Sequence, residues 1–216
     1  MTMLALEFSS VQRSVALARG GDVLAAAAEA GERGTNAFGL IEEVLTTAKR
    51  TREEIEVIAV GLGPGSYTGI RVALAIAQGW QLARGVKLLG VGSVECLAAQ
   101  AQAEKIYGRV NVVIDAQRGE FYLATYEVAA EGVKEAAPLK IVMAAEVESR
   151  AAAGEILIGP EVTRWFPTGK TLFPSATMLA KLAVGRNNFS NGGQLEPIYL
   201  RATNFVKSPP ARVRPA

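Results

Sequence analysis

The segment at residues 61–71 combines glycine, serine and threonine in a pattern that could hold a phosphate group. It reads Gly-Leu-Gly-Pro-Gly-Ser-Tyr-Thr-Gly-Ile-Arg. Glycines allow positive φ angles and close approach of a ligand, and the amides at a helix N-terminus attract anions. The Lys-Ser/Thr pair of a P-loop is absent, and Pro64 removes one amide donor. Two interpretations stand: a phosphate site, or a tight strand-to-helix turn capped by Ser66 or Thr68.

Two acidic residues, Glu7 and Asp115, each end an apolar segment and could bind a metal–nucleotide complex together. Paired carboxylates on opposite walls of a cleft can hold a divalent cation with its nucleotide. The turn at residues 8–11 has no glycine to wrap a phosphate closely, so a cap and a turn aspartate are the alternative. Arg118 could likewise contact phosphate or be a solvated turn arginine. The positions at issue in the two turns are Glu7, Ser9, Asp115, Arg118 and Gly119.

Composition excludes several classes of enzyme. Histidine is absent from all 216 residues, and Cys96 is the single cysteine. Histidine-dependent triads, histidine general bases, imidazole zinc sites and an internal disulfide are therefore excluded. A peptidase needs a nucleophile with its base, or a metal, and the sequence offers neither. The 23 Lys and Arg against 21 Asp and Glu leave a formal charge of +2, too small for a general polyanion binder.

Apolar periodicity predicts an α/β fold for the first half of the chain. The alanine run at 25–28 is compatible with either a strand or a helix. Thr35 or Asn36 is the predicted cap of the first helix. The predicted strands are 2–8, 14–18, 23–28, 56–62 and 87–91, and the predicted helices lie at 36–49, 70–84 and 93–103.

The second half begins with a similar plan. Residues 4–18 and 112–126 each form a strand that ends in an acid, then a turn and a returning strand. The halves are therefore either structural repeats or two unrelated examples of a common motif. The remaining predictions are strands at 110–114, 120–128, 133–142 (interrupted by Pro138) and 156–158, and helices at 144–152 and 175–184.

The predicted helix at 70–84 is apolar on nearly every side, apart from Arg71, Gln78 and Gln81. A helix of this kind must be covered all round. Either the chain's own helices cover it, or a protein partner does, and a second copy of the chain could serve when the partner is missing.

The ends of the chain carry two further expectations. The first residues lack the basic and long apolar regions of a signal peptide, and no apolar stretch is long enough for a bilayer, so we expect a cytoplasmic protein without a membrane segment. Residues 201–216 hold four basic side chains, no acidic ones and three prolines. The part after Ser208 is predicted to be extended or disordered, and four charges would give RNA only a weak, salt-sensitive attraction.

Four segments together resemble the TsaB (YeaZ) family of bacteria. They are the motif at 61–71, Gly-Val-Gly-Ser at 90–93, Ile-Asp-Ala-Gln-Arg-Gly-Glu-Phe-Tyr at 114–122, and Pro-Ile-Tyr-Leu-Arg at 197–201. The resemblance implies an actin-like ATPase (ribonuclease H-like) fold with two lobes, the second reduced. The ranges would be 1–105 for the first lobe, 106–200 for the second and 201–216 for a basic tail.

The same resemblance implies a role in making threonylcarbamoyladenosine next to the tRNA anticodon. In this family the chemistry and the metal belong to the TsaD partner, TsaE joins as an ATPase, and the tRNA is reached through the complex. The chain would then be a non-catalytic scaffold without a metal or cofactor of its own. Binding of ATP or ADP at the boundary with the partner is the alternative that stays open. The implied interface residues on two helices are Asn36, Leu40, Ile41, Val44, Tyr67, Ile70, Arg71, Ala73, Leu74 and Ala77.

The sequence departs from the family pattern at two places. It has Glu7-Phe8-Ser9-Ser10 where the family has an Asp-Thr-Ser type sequence, and Asn36-Ala37 where the family has His-Ser. A longer acid and a missing hydroxyl weaken any nucleotide site in the first lobe. The alternative function is an actin-fold small-molecule kinase or ATPase, which needs two phosphate-binding turns and a catalytic acid.

Overall fold

An antiparallel meander of three strands opens each half of the chain in the computed structural model, which describes residues 1–31 and 36–200. The first half contains β1 (Thr2–Glu7), β2 (Gln12–Arg19), β3 (Asp22–Ala30), α1 (Ala37–Ala48), β4 (Val57–Gly61), α2 (Tyr67–Arg84), β5 (Lys87–Val91) and α3 (Ser93–Ala103). The second half contains β6 (Gly108–Asp115), β7 (Glu120–Ala129), β8 (Gly132–Met143), α4 (Ala144–Ala152), β9 (Ile156–Gly159), α5 (Val162–Trp165), β10 (Lys170–Thr171) and α6 (Ala176–Ala183). Short 3₁₀ turns lie at Arg52–Glu54 and Gly192–Gln194.

The two sheets have the same topology. The first has the strand order β3-β2-β1-β4-β5, and the second has β8-β7-β6-β9-β10. In each, the meander strands pair antiparallel and the last two strands join in parallel. This is the ribonuclease H-like topology of the actin-like ATPase fold, present twice. The predicted fold class is therefore confirmed, and of the two interpretations of the similar halves, the structural repeat is the one observed.

Alternation along β1 explains why both faces of the first sheet are covered. Leu4 and Leu6 pack with α1 and α2, whereas Met3 and Ala5 pack with α6 on the opposite face. A strand whose two faces are both apolar is typical of the centre of an α/β sheet. Helices α1 and α2 consequently lie side by side on one face of the sheet.

The two halves exchange one helix each. Helix α3 lies within residues 1–105 but packs on the second sheet, and α6 lies within 106–200 but packs on the first. The Cys96 thiol donates to the carbonyl of Ser175 at 3.6 Å, and Ser175 Oγ bonds the side chain of Gln100 at 3.1 Å. An ion pair joins Glu95 to Arg186. The exchange links the lobes through their cores rather than through a single linker.

Most differences from the predicted elements are explained by strand pairing. The alanine run is a strand, because β3 pairs with β2 along its length and buries Ala25 and Ala27 beneath α1. Pro138 does not interrupt β8, since it lies on an edge strand where the pairing register shifts. No sequence pattern predicted α5 or β10. The predicted cap at Thr35 and the predicted tail after Ser208 lie outside the described residues.

The second lobe is the smaller one, as the resemblance implies. Helix α5 has 4 residues where its counterpart α2 has 18, and the edge strand β10 has 2 residues. Among the helices of the described residues, none combines the length and apolarity that a membrane span requires.

Candidate functional site

A cleft of about 980 Å³ lies where the two lobes face each other. The turn after β1, the start of α2 and the turn after β6 line it, together with the segment at residues 198–199. The candidate phosphate-binding positions Ser9, Asp115 and Arg118 are among the lining residues. The chemistry of the two turns therefore decides what the cleft can bind.

Glu7 fills its own turn. Its carboxylate is fully buried, and Oε1 accepts a hydrogen bond from the amide of Ser9 at 2.8 Å. Oε2 has no hydrogen-bond partner among the described residues and lies against Gly61, where any side chain would collide with it. Burial raises the pKa of Glu7, and hydrogen bonds from Ser9 oppose this only in part. The acid that could have held a metal does not reach the cleft, and it occupies an amide that a phosphate would need.

Asp115 repeats this geometry in the second lobe. Its Oδ1 accepts the amide of Gln117 at 2.7 Å, and its Oδ2 accepts the Gln117 side chain at 3.3 Å. Gln117, Arg118 and Gly119 all have positive φ angles, so the chain reverses tightly at this point. Both acids thus bond the amide two residues ahead, which occupies one backbone donor of each turn. Within residues 1–31 and 36–200, no cluster of three potential metal-binding side chains exists.

The glycines of the 61–71 motif serve packing. A side-chain carbon on Gly65 would collide with the carbonyl oxygen of Ser9, and one on Gly69 with that of Phe8. The amide of Ser66 donates to Ser9 O at 2.7 Å, and its hydroxyl caps α2 by accepting from Gly69 N at 3.3 Å. This geometry matches the tight-turn interpretation rather than the phosphate site.

An aromatic clamp stands at the mouth of the cleft; it consists of Tyr67, Arg71 and Tyr199. The Arg71 guanidinium carbon lies 3.7 Å from the ring centre of Tyr67 and 5.8 Å from that of Tyr199. Arg71 Nε also donates to the Tyr199 hydroxyl at 3.0 Å. Tyr67 and Tyr199 are 57% and 46% exposed as whole residues. Sequence reasoning singled out Tyr67 and Arg71 but not Tyr199, which is 128 residues away from Arg71.

Seven of the ten interface residues that the resemblance implies lie in the chain's own core, on the sides of α1 and α2 that face the first sheet. They are Leu40, Ile41, Val44, Ile70, Ala73, Leu74 and Ala77, each at most 5% exposed. The other three, Asn36, Tyr67 and Arg71, are exposed. Asn36 caps α1, where its side chain accepts from Gly39 N at 3.2 Å.

A different set of residues forms the open surface of α2. We call it the α2 outer face: Val72, Ala75, Ile76, Gly79, Leu82 and Ala83. Val72 and Ile76 are half-buried, the others are exposed, and Leu82 is 91% exposed. Phe38 on the neighbouring α1 is 67% exposed. The described part of the chain therefore leaves one side of this helix uncovered.

Similarity to known proteins identifies the family of the chain. The protein-family model of TsaD, a tRNA N6-adenosine threonylcarbamoyltransferase, matches residues 30–202. The tRNA threonylcarbamoyladenosine biosynthesis protein TsaB of Escherichia coli is 28% identical, covering 80% of this chain and 82% of its own. The TsaB protein of Bacillus subtilis is 27% identical over a match that covers 68% of this chain and 64% of that protein. The chain belongs to the TsaB (YeaZ) family.

Solved structures agree with the family assignment. YeaZ from Pseudomonas aeruginosa superposes with a TM-score of 0.77 at 27% identity, over 92% of this chain and 99% of that one. A second Pseudomonas aeruginosa structure, of a protein similar to the peptidase YeaZ, has a TM-score of 0.79 at 28% identity. The match covers 93% of this chain and 99% of that one. The resemblance drawn from the four sequence segments is confirmed, and it extends over nearly the whole TsaB-type fold.

Proposed function

We propose that this TsaB-family chain is a non-catalytic scaffold of tRNA threonylcarbamoyladenosine synthesis, which pairs with a TsaD-type transferase subunit and activates it. The observation that carries the proposal is the α2 outer face. A leucine 91% exposed beside small apolar residues is unfavourable in water and favourable against a second protein surface.

Gly79 supports close packing of a partner helix on this face. Glycine inside a helix costs about 1 kcal/mol relative to alanine. A side-chain carbon on Gly79 would meet no atom within 4 Å, so the chain's own packing does not require glycine there. An approaching helix would benefit, because the distance between two packed helices depends on the side chains at their contact.

The match to the TsaD family model favours a partner of the same fold. Two related chains that pair through corresponding helices form a pseudo-twofold dimer, with the same elements on both sides. A homodimer in the absence of that partner would use the same face. A TsaE-type ATPase would then join the assembled pair.

The turns of the cleft support the non-catalytic part of the proposal. Glu7 is sealed from the cleft, and both oxygens of Asp115 already accept hydrogen bonds from Gln117. A kinase or ATPase of this fold would need phosphate-binding amides and an acid facing the substrate. Calorimetry of the isolated chain with Mg-ATP is therefore expected to show no binding, and micromolar binding with turnover would favour the alternative function.

Light scattering coupled to size exclusion tests the pairing directly. The chain and its TsaD-type partner are expected to elute as one complex at micromolar concentration. Leu82→Asp should weaken the complex by about 2 kcal/mol or more, a factor of about 30, because it places a charge in the apolar contact. Leu24→Asp is the matched control, since Leu24 is an exposed leucine on the opposite face of the first sheet. Two separate peaks for the wild-type mixture would contradict the proposal.

A further inference from the structure

The aromatic clamp holds Arg71 in place and leaves part of its guanidinium group free. Nε is bound by the Tyr199 hydroxyl, and Tyr67 covers one face of the guanidinium plane. Neither terminal nitrogen has a hydrogen-bond or ion-pair partner among the described residues. A fixed arginine with both terminal nitrogens free is arranged to bind an anion through two parallel hydrogen bonds.

Arg118 occupies the other wall of the same cleft. It is exposed at the tip of the β6–β7 turn and makes no hydrogen bond or ion pair in the part of the chain that the structure describes. This distinguishes Arg71 and Arg118 from the arginines that pair with glutamate, which are Arg50, Arg52, Arg84, Arg109, Arg150 and Arg186.

Two acids also line the cleft, and they differ in their effect. Both oxygens of Asp115 accept hydrogen bonds from Gln117, so this carboxylate is held within its own turn. Glu161, which immediately precedes α5, forms no side-chain bond with the described residues and opposes an incoming anion. Removing that charge should therefore strengthen anion binding, a prediction opposite in sign to the loss of an arginine.

The combination of two cleft arginines, of which Arg71 is held in place, and two exposed tyrosines points to one class of ligand. Single-stranded RNA is bound through guanidinium contacts to phosphates and through stacking of unpaired bases on aromatic rings. A protein carboxylate would satisfy one guanidinium but would leave the tyrosine rings in water. The turn amides that a nucleotide phosphate would need are occupied by Glu7 and Asp115, so side chains at the mouth must supply the contacts.

We propose that the cleft mouth binds the tRNA directly, with Arg71 and Arg118 on phosphates of an unpaired stretch and Tyr67 or Tyr199 against a base. The choice of tRNA rests on the proposed function, whereas the choice of RNA rests on the residues of the mouth. Tyr199 is a positioning residue for Arg71, because its hydroxyl accepts the Nε hydrogen bond.

Fluorescence anisotropy with a labelled anticodon stem-loop RNA tests this, on the isolated chain and on its complex with the TsaD-type partner. Arg71→Gln and Arg118→Gln should each weaken binding about tenfold and lower the slope of log affinity against log salt by about one. Arg71→Lys should lie between Arg71→Gln and wild type, and Tyr199→Phe should weaken binding less than Arg71→Gln. Glu161→Gln should strengthen binding. Arg84→Gln, on the same helix but outside the cleft, should leave it unchanged.

Pairing with the partner is measured on the same variants, so that the two proposals can fail separately. Weaker RNA binding with unchanged pairing supports direct contact. Unchanged RNA affinity in both arginine variants overturns it, and lost pairing in Arg71→Gln with intact RNA binding assigns Arg71 to the protein contact instead. If wild-type subunits do not pair but the arginine variants still lose RNA affinity, the scaffold proposal fails and the RNA contact stands.

Discussion

Oε1 of Glu7 accepts a hydrogen bond from the amide of Ser9 at 2.8 Å inside a turn that is closed to solvent. The second lobe contains the same bond between Asp115 and Gln117, in a turn that is partly exposed. Repeated topology thus places equivalent acids in different surroundings. Only Glu7 has an oxygen that is both buried and without a hydrogen-bond partner among the described residues.

The first prediction concerns stability and pH. Burial raises the pKa of Glu7 in the folded chain above its ordinary value of 4.5. The folded state therefore retains a proton that the unfolded state has lost, and stability falls as pH rises from about 4.5 towards the folded pKa, by at most about 1.4 kcal/mol per pH unit. Glu7→Gln should remove this fall and should be the more stable protein at pH 8. Urea unfolding at a series of pH values measures the effect.

Other acids do not produce the same slope. The pKa values of Glu53, Glu54, Glu56 and Glu146 are lowered, chiefly by hydrogen bonds to their carboxylates, so their contributions are complete above pH 4.5 and are lost as pH falls. Asp115→Asn provides the control in the equivalent turn. Identical pH slopes for wild type and Glu7→Gln would contradict the assignment of the effect to Glu7.

Gly79 gives a prediction with opposite signs for stability and pairing. Gly79→Ala should stabilise the isolated chain by about 1 kcal/mol, because the position is helical, exposed and open. It should weaken pairing with the TsaD-type partner, since the added methyl group keeps the partner helix away. Thermal unfolding and size exclusion measure the two effects on one sample.

The same helix contains a control for this substitution. Gly85 ends α2 with a φ of 68°, a conformation that disfavours alanine although no atom lies within 4 Å of the added carbon. Gly85→Ala should therefore destabilise the chain while leaving pairing intact at a matched folded fraction. Stabilisation by both substitutions, or by neither, would count against the backbone argument.

Charge substitutions on the two sides of α2 should have different consequences. Ala73 is fully buried against the first sheet, so Ala73→Glu should destabilise the chain by about 3–5 kcal/mol through an unpaired buried charge. Phe38→Asp on α1 should leave the melting temperature almost unchanged and weaken pairing. Circular dichroism melts beside the sizing experiment separate the two effects. A folded Ala73→Glu protein that merely fails to pair would support the interface that the resemblance implies.

The burial pattern of α2 shows what its sequence can specify. Continuous apolar residues indicate that the helix is buried, but without a polar stripe they do not say which side faces the sheet. Ala73 and Ala77 face inward and Ala75 and Gly79 outward, with nearly the same residue types on both sides. The bounds of β5 and α4 could be predicted from the sequence. The structure places them at Lys87–Val91 and Ala144–Ala152, as the sequence pattern indicates.

Contacts between residues far apart in the chain could not be predicted from the sequence, for a different reason. The repeat of strand, acid and turn was visible because each copy is local. Nothing local indicates that α6 crosses to the first sheet, or that Tyr199 returns to Arg71 across 128 residues. Both depend on how the lobes close on each other, which only the packed structure contains.

Cys96 reports on that closure and gives the final prediction. The thiol is fully buried where α3 meets α6, and burial raises its pKa well above the ordinary value. A thiol reagent needs an exposed thiolate, so labelling of the native chain should be slow and limited by opening of the α3–α6 contact. Helix α3 packs on the second sheet and α6 on the first, so opening their contact disrupts the cores of both lobes. The rate of Cys96 labelling in subdenaturing urea should therefore follow global unfolding measured by circular dichroism. Ser175→Ala, which removes the bond to Gln100 and the cap of α6, should speed labelling and lower stability together. Rapid labelling of the fully folded wild type would mean that the lobes separate locally, and the helix exchange would then not hold them together.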